Sequence, residues 1–318
     1  MRPHRTISVI TATLLALGVG LAGSAAAADR PHSLRVTDLG TLGGTFSDAA
    51  AINDRGDVVG YSETARGTIE AFLWRDGRMR GLGDLQLSDI NNHGWAVGSV
   101  PTEGGTAYHA VLWRDGVTQD LGTLGGRYSY AAAVNDRGQI VGVSQTASGG
   151  WHAYLWQHGV MRDLGLDGAT DINDRGQVVG GTSLASGYHA YRWDRGDVTD
   201  LGALAPEYSE ALAVNRLGHA VGRSNHESSY LHAFLYRTTM TDLGTLGGPY
   251  SEAVAVNDRD QVVGMSDDAG GQLHGFRWSA GTMTDLGPSV AQVRDINNLG
   301  QIAGAAYVDG QPHAAVFA

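Results

Sequence analysis

The chain has 318 residues, no cysteine and a formal net charge of −11 at pH 7. Its 22 basic residues are all arginine and are outnumbered by 33 acidic ones. This composition argues against a nucleic-acid-binding protein, which would show a basic patch or stripe. The lack of cysteine excludes disulfides and a thiol nucleophile, so the fold must depend on its apolar core.

The first 28 residues have the pattern of a secretory signal peptide. Arg2 and Arg5 form a basic start, residues 7–21 are mostly apolar, and four alanines at 25–28 suit cleavage. The apolar stretch is too short to favour a transmembrane anchor. We therefore expect a mature chain, residues 29–318, that is secreted to the extracellular space and has no membrane span.

Seven copies of one motif follow, and each is marked by an asparagine. The asparagines are 38 to 44 residues apart: Asn53, Asn91, Asn135, Asn173, Asn215, Asn257 and Asn297. A period of this length is typical of an array of supersecondary units. The copies cover approximately residues 38–80, 81–119, 120–162, 163–199, 200–241, 242–284 and 285–318.

The third copy, taken as an example, predicts four short strands. An Ala-rich run ends at Asn135, the turn ends at Gly138, and a β-branched run follows. Residues 152–156 and 160–164 have the composition of two more strands, joined by a turn at Gly159. No window predicts a helix. The sixth copy has Asp260 in place of the turn glycine, so its turn can differ.

The composition of each strand also predicts its position within the sheet. The first is built from Ala and Ser, which suits a crowded inner position. The third ends in a large side chain, which suits the wider outer space between sheets: Trp74, Trp113, Trp156, Trp193, Tyr236, Trp278 and Phe317. The fourth carries Met79, Met161, Met240 and Met283, or Val198, at one position, where pliable side chains can fill gaps between sheets.

The chain ends predict how the array closes. The seventh copy stops after its third strand, and residues 33–39 form an unpaired fourth strand ahead of the first copy. Pairing the two would complete a sheet and remove an exposed edge. The sequence therefore predicts an all-β fold, a single seven-bladed β-propeller of four-stranded blades whose last blade is closed by the N-terminal strand.

These motifs resemble the HAF repeat family of bacterial extracellular proteins, named for a His-Ala-Phe triplet. Asp-Leu-Gly-Thr-Leu-Gly-Gly is present at 38–44, 120–126 and 242–248, and the full triplet occurs at 232–234. The resemblance covers residues 38 to 317. It implies secretion and a propeller-like fold, and it supplies no catalytic residues to transfer.

No repeated residue predicts a metal or cofactor site. Six matching histidines occur once per blade, too far apart to share one ion: His109, His152, His189, His232, His274 and His313. We expect each to make a recurring hydrogen bond at the start of the third strand. The Asn-Asp turns are similar to calcium loops but lack the closing Glu of an EF-hand.

Three aspartates break the repeat. Asp89, Asp171 and Asp295 lie two residues before the marker asparagine in copies with a short first loop, where the other copies have alanine. Three carboxylates near a channel could bind a cation or act as acid and base. The alternative is that each binds its local turn through a hydrogen bond.

Aromatic side chains accumulate in the loops before the first and third strands, which lie on one face of a propeller. Those before the first strand are Phe46, Tyr128, Tyr208 and Tyr250, and those before the third are Tyr108, Trp151 and Tyr188. With acidic neighbours such as Glu63, Glu103, Asp267 and Asp268, they could stack on sugars or hold a peptide. Packing within the protein explains them as well.

Three functions remain open. The leading hypothesis is a secreted, non-catalytic propeller that binds an extracellular polysaccharide or a protein on its loop-rich face. The second is a glycan-active hydrolase or lyase that uses Asp89, Asp171 and Asp295. The third is a calcium-stabilised structural spacer.

Overall fold

A computed structural model describes residues 34–102, 104–227 and 230–318. The predicted signal peptide lies outside these residues. Within them the structure is entirely strands and turns, and no helix is long and apolar enough to cross a membrane. The chain from Leu34 to Ala318 forms one compact unit.

The strands group into seven antiparallel blades, each numbered here in chain order. A leading strand, β1, spans Val36–Asp38. Blade one comprises β2 (Gly43–Ile52), β3 (Val58–Thr64), β4 (Ile69–Arg75) and β5 (Arg78–Gly83). Blade two comprises β6 (Gln86–Ile90), β7 (Ala96–Pro101), β8 (Tyr108–Arg114) and β9 (Val117–Asp120). Blade three comprises β10 (Gly125–Val134), β11 (Ile140–Thr146), β12 (Trp151–Gln157) and β13 (Val160–Asp163).

The remaining blades repeat the arrangement. Blade four comprises β14 (Gly168–Ile172), β15 (Val178–Leu184), β16 (Gly187–Asp194) and β17 (Asp197–Gly202). Blade five comprises β18 (Glu207–Val214), β19 (Ala220–Asn225), β20 (Leu231–Tyr236) and β21 (Met240–Asp242). Blade six comprises β22 (Gly247–Val256), β23 (Val262–Asp268), β24 (Leu273–Ser279) and β25 (Thr282–Asp285). Blade seven comprises β26 (Val290–Ile296), β27 (Ile302–Val308) and β28 (Gln311–Phe317).

The predicted closure is confirmed. The leading strand β1 pairs with β28, and Val36 lies opposite Phe317. The sheet order β1-β28-β27-β26 makes blade seven a four-stranded sheet built from both ends of the chain. Blades four and five are additionally joined by a short parallel pairing, in which Tyr188 lies opposite Tyr208. The chain is a seven-bladed β-propeller.

The first strand of each blade is the inner one, as predicted. First strands of neighbouring blades contact one another around the whole ring, from β2 through β6, β10, β14, β18 and β22 to β26 and back to β2. Seven apolar clusters then fill the spaces between neighbouring blades. The methionines fill these spaces as expected: Met161 lies opposite Trp156 and packs between blades two and three.

One part of the core was not anticipated from the sequence. The fully buried rings are mostly those of the triplet itself: Phe72, Tyr154, Tyr191, Phe234 and Phe276. The aromatic residue two places later is buried less completely, and Trp156, for example, is 7% exposed. Blades two and seven have no aromatic residue at the triplet position, where Val111 and Ala315 lie, and in blade seven Phe317 is fully buried instead.

The glycine in the middle of every second strand is required by close packing of main chains. A Cβ atom built on Gly142 would lie 2.0 Å from the carbonyl oxygen of Tyr130 on the first strand. The other six blades show the same approach, at 1.9 to 2.1 Å. Since no side chain fits at that distance, this position accepts only glycine.

The turn of the sixth copy keeps the common geometry despite its aspartate. Asp260 adopts a φ of 56°, in the left-handed region that the glycine occupies in the other copies. Its amide donates to the Asn257 carbonyl at 3.0 Å, as Gly56 does to Asn53. The expectation that this turn can differ is therefore not met, because aspartate tolerates this conformation better than most residues.

The long first loops join neighbouring blades through a buried serine. In blade three the Ser129 hydroxyl accepts a hydrogen bond from the Ala110 amide of blade two and donates to the Gly122 carbonyl. Ser47, Ser209 and Ser251 make the same pair of bonds in blades one, five and six.

Candidate functional site

The seven marker asparagines form a closed ring of hydrogen bonds around the axis. Each side-chain amide donates to the main-chain carbonyl of the next asparagine, at 2.9 to 3.1 Å, and Asn297 donates to Asn53 to complete the circle. Each side-chain oxygen accepts two amides of its own turn. The ring therefore links every blade to its neighbour through a buried, hydrogen-bonded side chain.

The sequence alone predicts these asparagines only as turn residues. A signal for the ring was present, because aspartate can accept the two turn amides as well as asparagine can. Only asparagine also supplies a donor. Its presence in all seven copies indicates that both functions are needed at once.

A second ring lies next to the first, around a polar axial cavity of about 190 Å³. It consists of the residue after each asparagine: Asp54, Asn92, Asp136, Asp174, Arg216, Asp258 and Asn298. Six of the seven neighbouring pairs are joined by a main-chain amide that donates to the next side-chain oxygen, as Asn92 does to Asp136 at 2.8 Å. These oxygens are thus engaged in holding the blades together.

Asp89, Asp171 and Asp295 bind main-chain amides of two blades rather than a turn. In each, one carboxylate oxygen accepts the amide of the following residue and the other accepts the amide of the next blade's first strand. Asp89, for example, accepts Ile90 and Val134, both at 2.7 Å. Asp171 accepts Ile172 and Val214, and Asp295 accepts Ile296 and Ile52.

This geometry explains why only three blades carry the aspartate. Each carboxylate serves two blades, so three of them serve six of the seven equivalent amides. The seventh amide is that of Val256 in blade six, and the preceding blade five carries Ala213 instead of an aspartate, so no carboxylate reaches it. The alternative that each aspartate binds its local turn is therefore wrong about the bonding partner, which is a pair of main-chain amides from two blades. The role observed for these oxygens is nevertheless structural.

The three carboxyl groups also influence one another electrically. Burial raises the pKa of Asp89 to about 8 against the opposing effect of its main-chain donors, and repulsion from Asp171 and Asp295 adds to the rise. Burial likewise raises the pKa of Asp171 to about 7. Burial also raises the pKa of Asp295. Perturbed carboxyl groups of this kind occur at catalytic sites and also in structural networks.

The repeated histidines make the expected local bond. In each of blades two to seven the histidine Nδ1 bonds to the aspartate of the Asp-Leu-Gly sequence, at 2.7 to 3.2 Å. In blade seven the partner of His313 is Asp38, from the leading strand. Blade one has Glu70 and Gly81 at these two places, so both partners are exchanged together.

The loop-rich face carries the seven aromatic residues predicted to bind a ligand, and all seven are half-buried. It is the end of the blades where first and third strands begin. The acidic neighbours differ in their surroundings: Glu63 accepts the amide and hydroxyl of Thr45, whereas Glu103 lies outside the described residues.

Three of the seven lie in one stack across blades two and three, which we call the aromatic strip. Tyr108 stacks on Tyr130 with 6.0 Å between ring centres, Tyr130 on Trp151 at 5.9 Å, and Tyr128 lies 6.1 Å from Trp151. The guanidinium of Arg127 lies over Tyr128 at 5.9 Å. Tyr130 was not predicted, although it shares a strand face with Tyr128.

Three others belong to a second group, the tyrosine–arginine cluster of blades four to six. Tyr188 and Tyr208 stack nearly parallel, with 5.6 Å between ring centres. Arg223 forms ion pairs with Glu210 at 2.8 Å and Glu252 at 3.2 Å. The Tyr208 hydroxyl donates to Glu210. Burial raises the pKa of Tyr250, and the nearby charge of Glu252 adds to the rise. The Nε atom of Arg223 is buried and has no hydrogen-bond partner among the described residues.

Phe46 is separate from both groups. It meets Tyr61 edge-on at 6.3 Å, and the Tyr61 hydroxyl donates to Asp48, which also pairs with Arg294 of blade seven. The sequence predicts that these residues share one face of the propeller, and it does not indicate that they divide into groups.

Comparison with known proteins supports the fold. No protein-family model and no curated protein matches this sequence. Among solved structures, TolB from Acinetobacter baumannii is 14% identical over 86% of this chain and 79% of its own, with a TM-score of 0.52. The WD40 β-propeller domain of Doa1 is 15% identical over 90% of this chain and 97% of its own, with a TM-score of 0.54.

An acylaminoacyl peptidase in complex with Z-Gly-Gly-Phe-chloromethyl ketone is 12% identical, with a TM-score of 0.54. The match covers 81% of this chain and 50% of the peptidase. At such low identities these likenesses establish the propeller architecture and nothing about activity.

Proposed function

We propose that this chain is a secreted, non-catalytic propeller of the HAF repeat type that binds an extracellular polysaccharide on its loop-rich face. The observation that carries the proposal is the aromatic strip. Four half-buried rings from two blades lie side by side on a rigid scaffold, at the end where the loops vary most.

Sugar rings suit such a surface because their C–H faces stack on aromatic rings. The hydroxyl groups then need polar partners at the edges. Thr106 and Gln145 border the strip. The Thr106 carbonyl accepts hydrogen bonds from the Tyr128 hydroxyl and the Arg127 guanidinium, and the Gln145 side chain accepts one from the Arg127 main-chain amide. Tyr and Trp are also enriched where proteins bind proteins, so a protein partner is the main competing outcome.

The enzyme hypothesis has weaker support. Both oxygens of Asp89, Asp171 and Asp295 already accept main-chain amides, which leaves them poorly placed to exchange protons with a substrate. The calcium-spacer hypothesis is weakened in the same way, because the turn oxygens bind amides of their own turn or of the next blade.

A glycan array probed with residues 29–318 tests the proposal. We expect a defined set of polysaccharides to bind, and Tyr128→Ala with Trp151→Ala to reduce their affinity at least about tenfold, since each stacked ring contributes on the order of 1 kcal/mol or more. The matched control is Tyr307→Ala, an exposed tyrosine of blade seven.

Two results would overturn the proposal. One is an array without binding while a protein is captured through the same two residues. The other is loss of ligand turnover in the triple variant Asp89→Asn, Asp171→Asn, Asp295→Asn, which would favour the enzyme.

A further inference from the structure

Blade five brings a second histidine against its repeated histidine–aspartate pair. His226 follows β19, and its amide donates to the Tyr230 carbonyl across the hairpin. His232 lies in β20 opposite Ser224. Residues 224 and 226 share a face of the hairpin, so the two imidazoles are diagonal neighbours, within reach of each other.

The three side chains converge on one point. His232 Nδ1 lies 3.0 Å from Asp242 Oδ2, and His226 Nε2 lies 3.6 Å from the same oxygen. The two rings are parallel within 4°, with 4.1 Å between their centres. One nitrogen or oxygen from each residue lies within 4.8 Å of the other two.

These spacings suit a small divalent ion. Ligands at about 2.0–2.2 Å in a tetrahedron are separated from one another by roughly 3.3–3.6 Å, within the range of the two distances observed. The ion would replace the proton that His232 shares with Asp242. Because one ion cannot lie in the planes of two parallel rings, the ring of His226 must turn for both to bind.

The second histidine is specific to blade five. The register places six other residues at its position: Thr64, Thr102, Thr146, Leu184, Asp268 and Val308. Since three blades use threonine there, the hairpin has no structural need for an imidazole. The histidine is therefore explained better by a ligand than by the fold.

We propose that His226, His232 and Asp242 bind a divalent transition-metal ion of the zinc class, with water completing its coordination. Two imidazoles and one carboxylate are the donors that zinc, nickel and copper prefer, whereas calcium and magnesium require mainly oxygen ligands. The site was not expected from the sequence, because the repeated histidines lie in different blades and His226 is not one of them. It is independent of the polysaccharide proposal.

Calorimetric titration of residues 29–318, without a histidine tag, tests the site. We expect Zn²⁺ to bind with a stoichiometry of one and Ca²⁺ to give no binding. The variant His226→Thr introduces the residue found in three other blades, so it should keep its melting temperature in metal-chelating buffer. It should lose at least about tenfold in Zn²⁺ affinity, as expected for a direct ligand.

The control is His152→Thr, which removes the histidine of the equivalent pair in blade three, where Thr146 occupies the position of His226. Its Zn²⁺ affinity should equal that of the unmodified chain. Absence of Zn²⁺ binding would overturn the proposal, as would equal affinity in the His226→Thr variant or an equal loss in the His152→Thr variant.

Discussion

The two ends of the propeller differ in how closely the seven blades repeat. At the end that carries the asparagine turns, every blade places the same side chain in the same bonds, and the ring closes without a gap. At the loop-rich face the blades differ, and stacked rings occur across blades two and three and again across blades four and five. Repetition here therefore marks the contacts that hold blades together, while variation marks the surface available for binding.

The largest effect is expected from removing the N-terminal strand that closes the ring of blades. Deleting residues 29–40 removes β1, its pairing with β28 and the buried Leu39. We expect the melting temperature to fall by more than about 10 °C relative to residues 29–318, because blade seven loses a strand and gains an open edge. Thermal unfolding followed by circular dichroism measures this. An unchanged melting temperature would contradict closure of the ring by this strand.

A smaller loss of folding stability is expected when an added side chain overpacks one blade. Gly142→Ala places a Cβ atom 2.0 Å from the Tyr130 carbonyl, so the first two strands must separate. We expect the free energy of unfolding to fall by about 3 kcal/mol or more in chemical denaturation, because the clash is with main-chain atoms that cannot rotate away. Gly150→Ala is the control, because its nearest atoms are 3.6 Å away and it should be neutral. Similar effects at both positions would remove the close-packing explanation.

A single ring contact should matter less than the backbone clash. Asn135→Asp keeps the acceptor for the turn but loses the donor to Asn173 and places a carboxylate against that carbonyl. We expect a loss of about 1–3 kcal/mol in the same denaturation experiment. Asp136→Asn is the control, since the second ring already contains Asn92 and Asn298 at equivalent places. Equal stability of the Asn135 variant would show that the ring contributes little.

The smallest effect concerns pH. Folding raises the pKa of Asp89 to about 8 and of Asp171 to about 7, above the ordinary value of 3.8, so the fold favours their neutral forms. This contribution is complete below pH 4 and is lost as the pH rises through 7 to 8. We expect the melting temperature to decline by a few degrees between pH 5 and 9, and the triple Asp→Asn variant to flatten that decline. An equally steep decline in the variant would mean that other groups cause it.

The fold was largely readable from the sequence because its signals are local and repeated. Turn residues at Asn135 to Gly138, β-branched runs and the missing fourth strand of the seventh copy all fix the blade pattern without reference to distant residues. The sequence also predicts that each repeated histidine makes a hydrogen bond. It does not predict that the partner is the aspartate of the Asp-Leu-Gly sequence.

The site was less readable because its contacts join different blades. Nothing in the local sequence of Tyr108 places it beside Tyr130, and nothing near Asp89 points to the amide of Val134 in the following blade. The role of His226 was equally hard to predict, because its proximity to His232 and Asp242 depends on the hairpin register and on the position of the fourth strand.

The repeat pattern alone predicts the number of blades, their strand order and the closure by the leading strand, because periodicity and turn chemistry act within a few tens of residues. The contacts between blades depend instead on the folded ring: the asparagine ring, the two-blade role of the aspartates, the aromatic strip and the histidine pair. Closing the ring brings residues about forty positions apart into hydrogen-bond distance, and that distance depends on the curvature of the whole ring rather than on any one repeat.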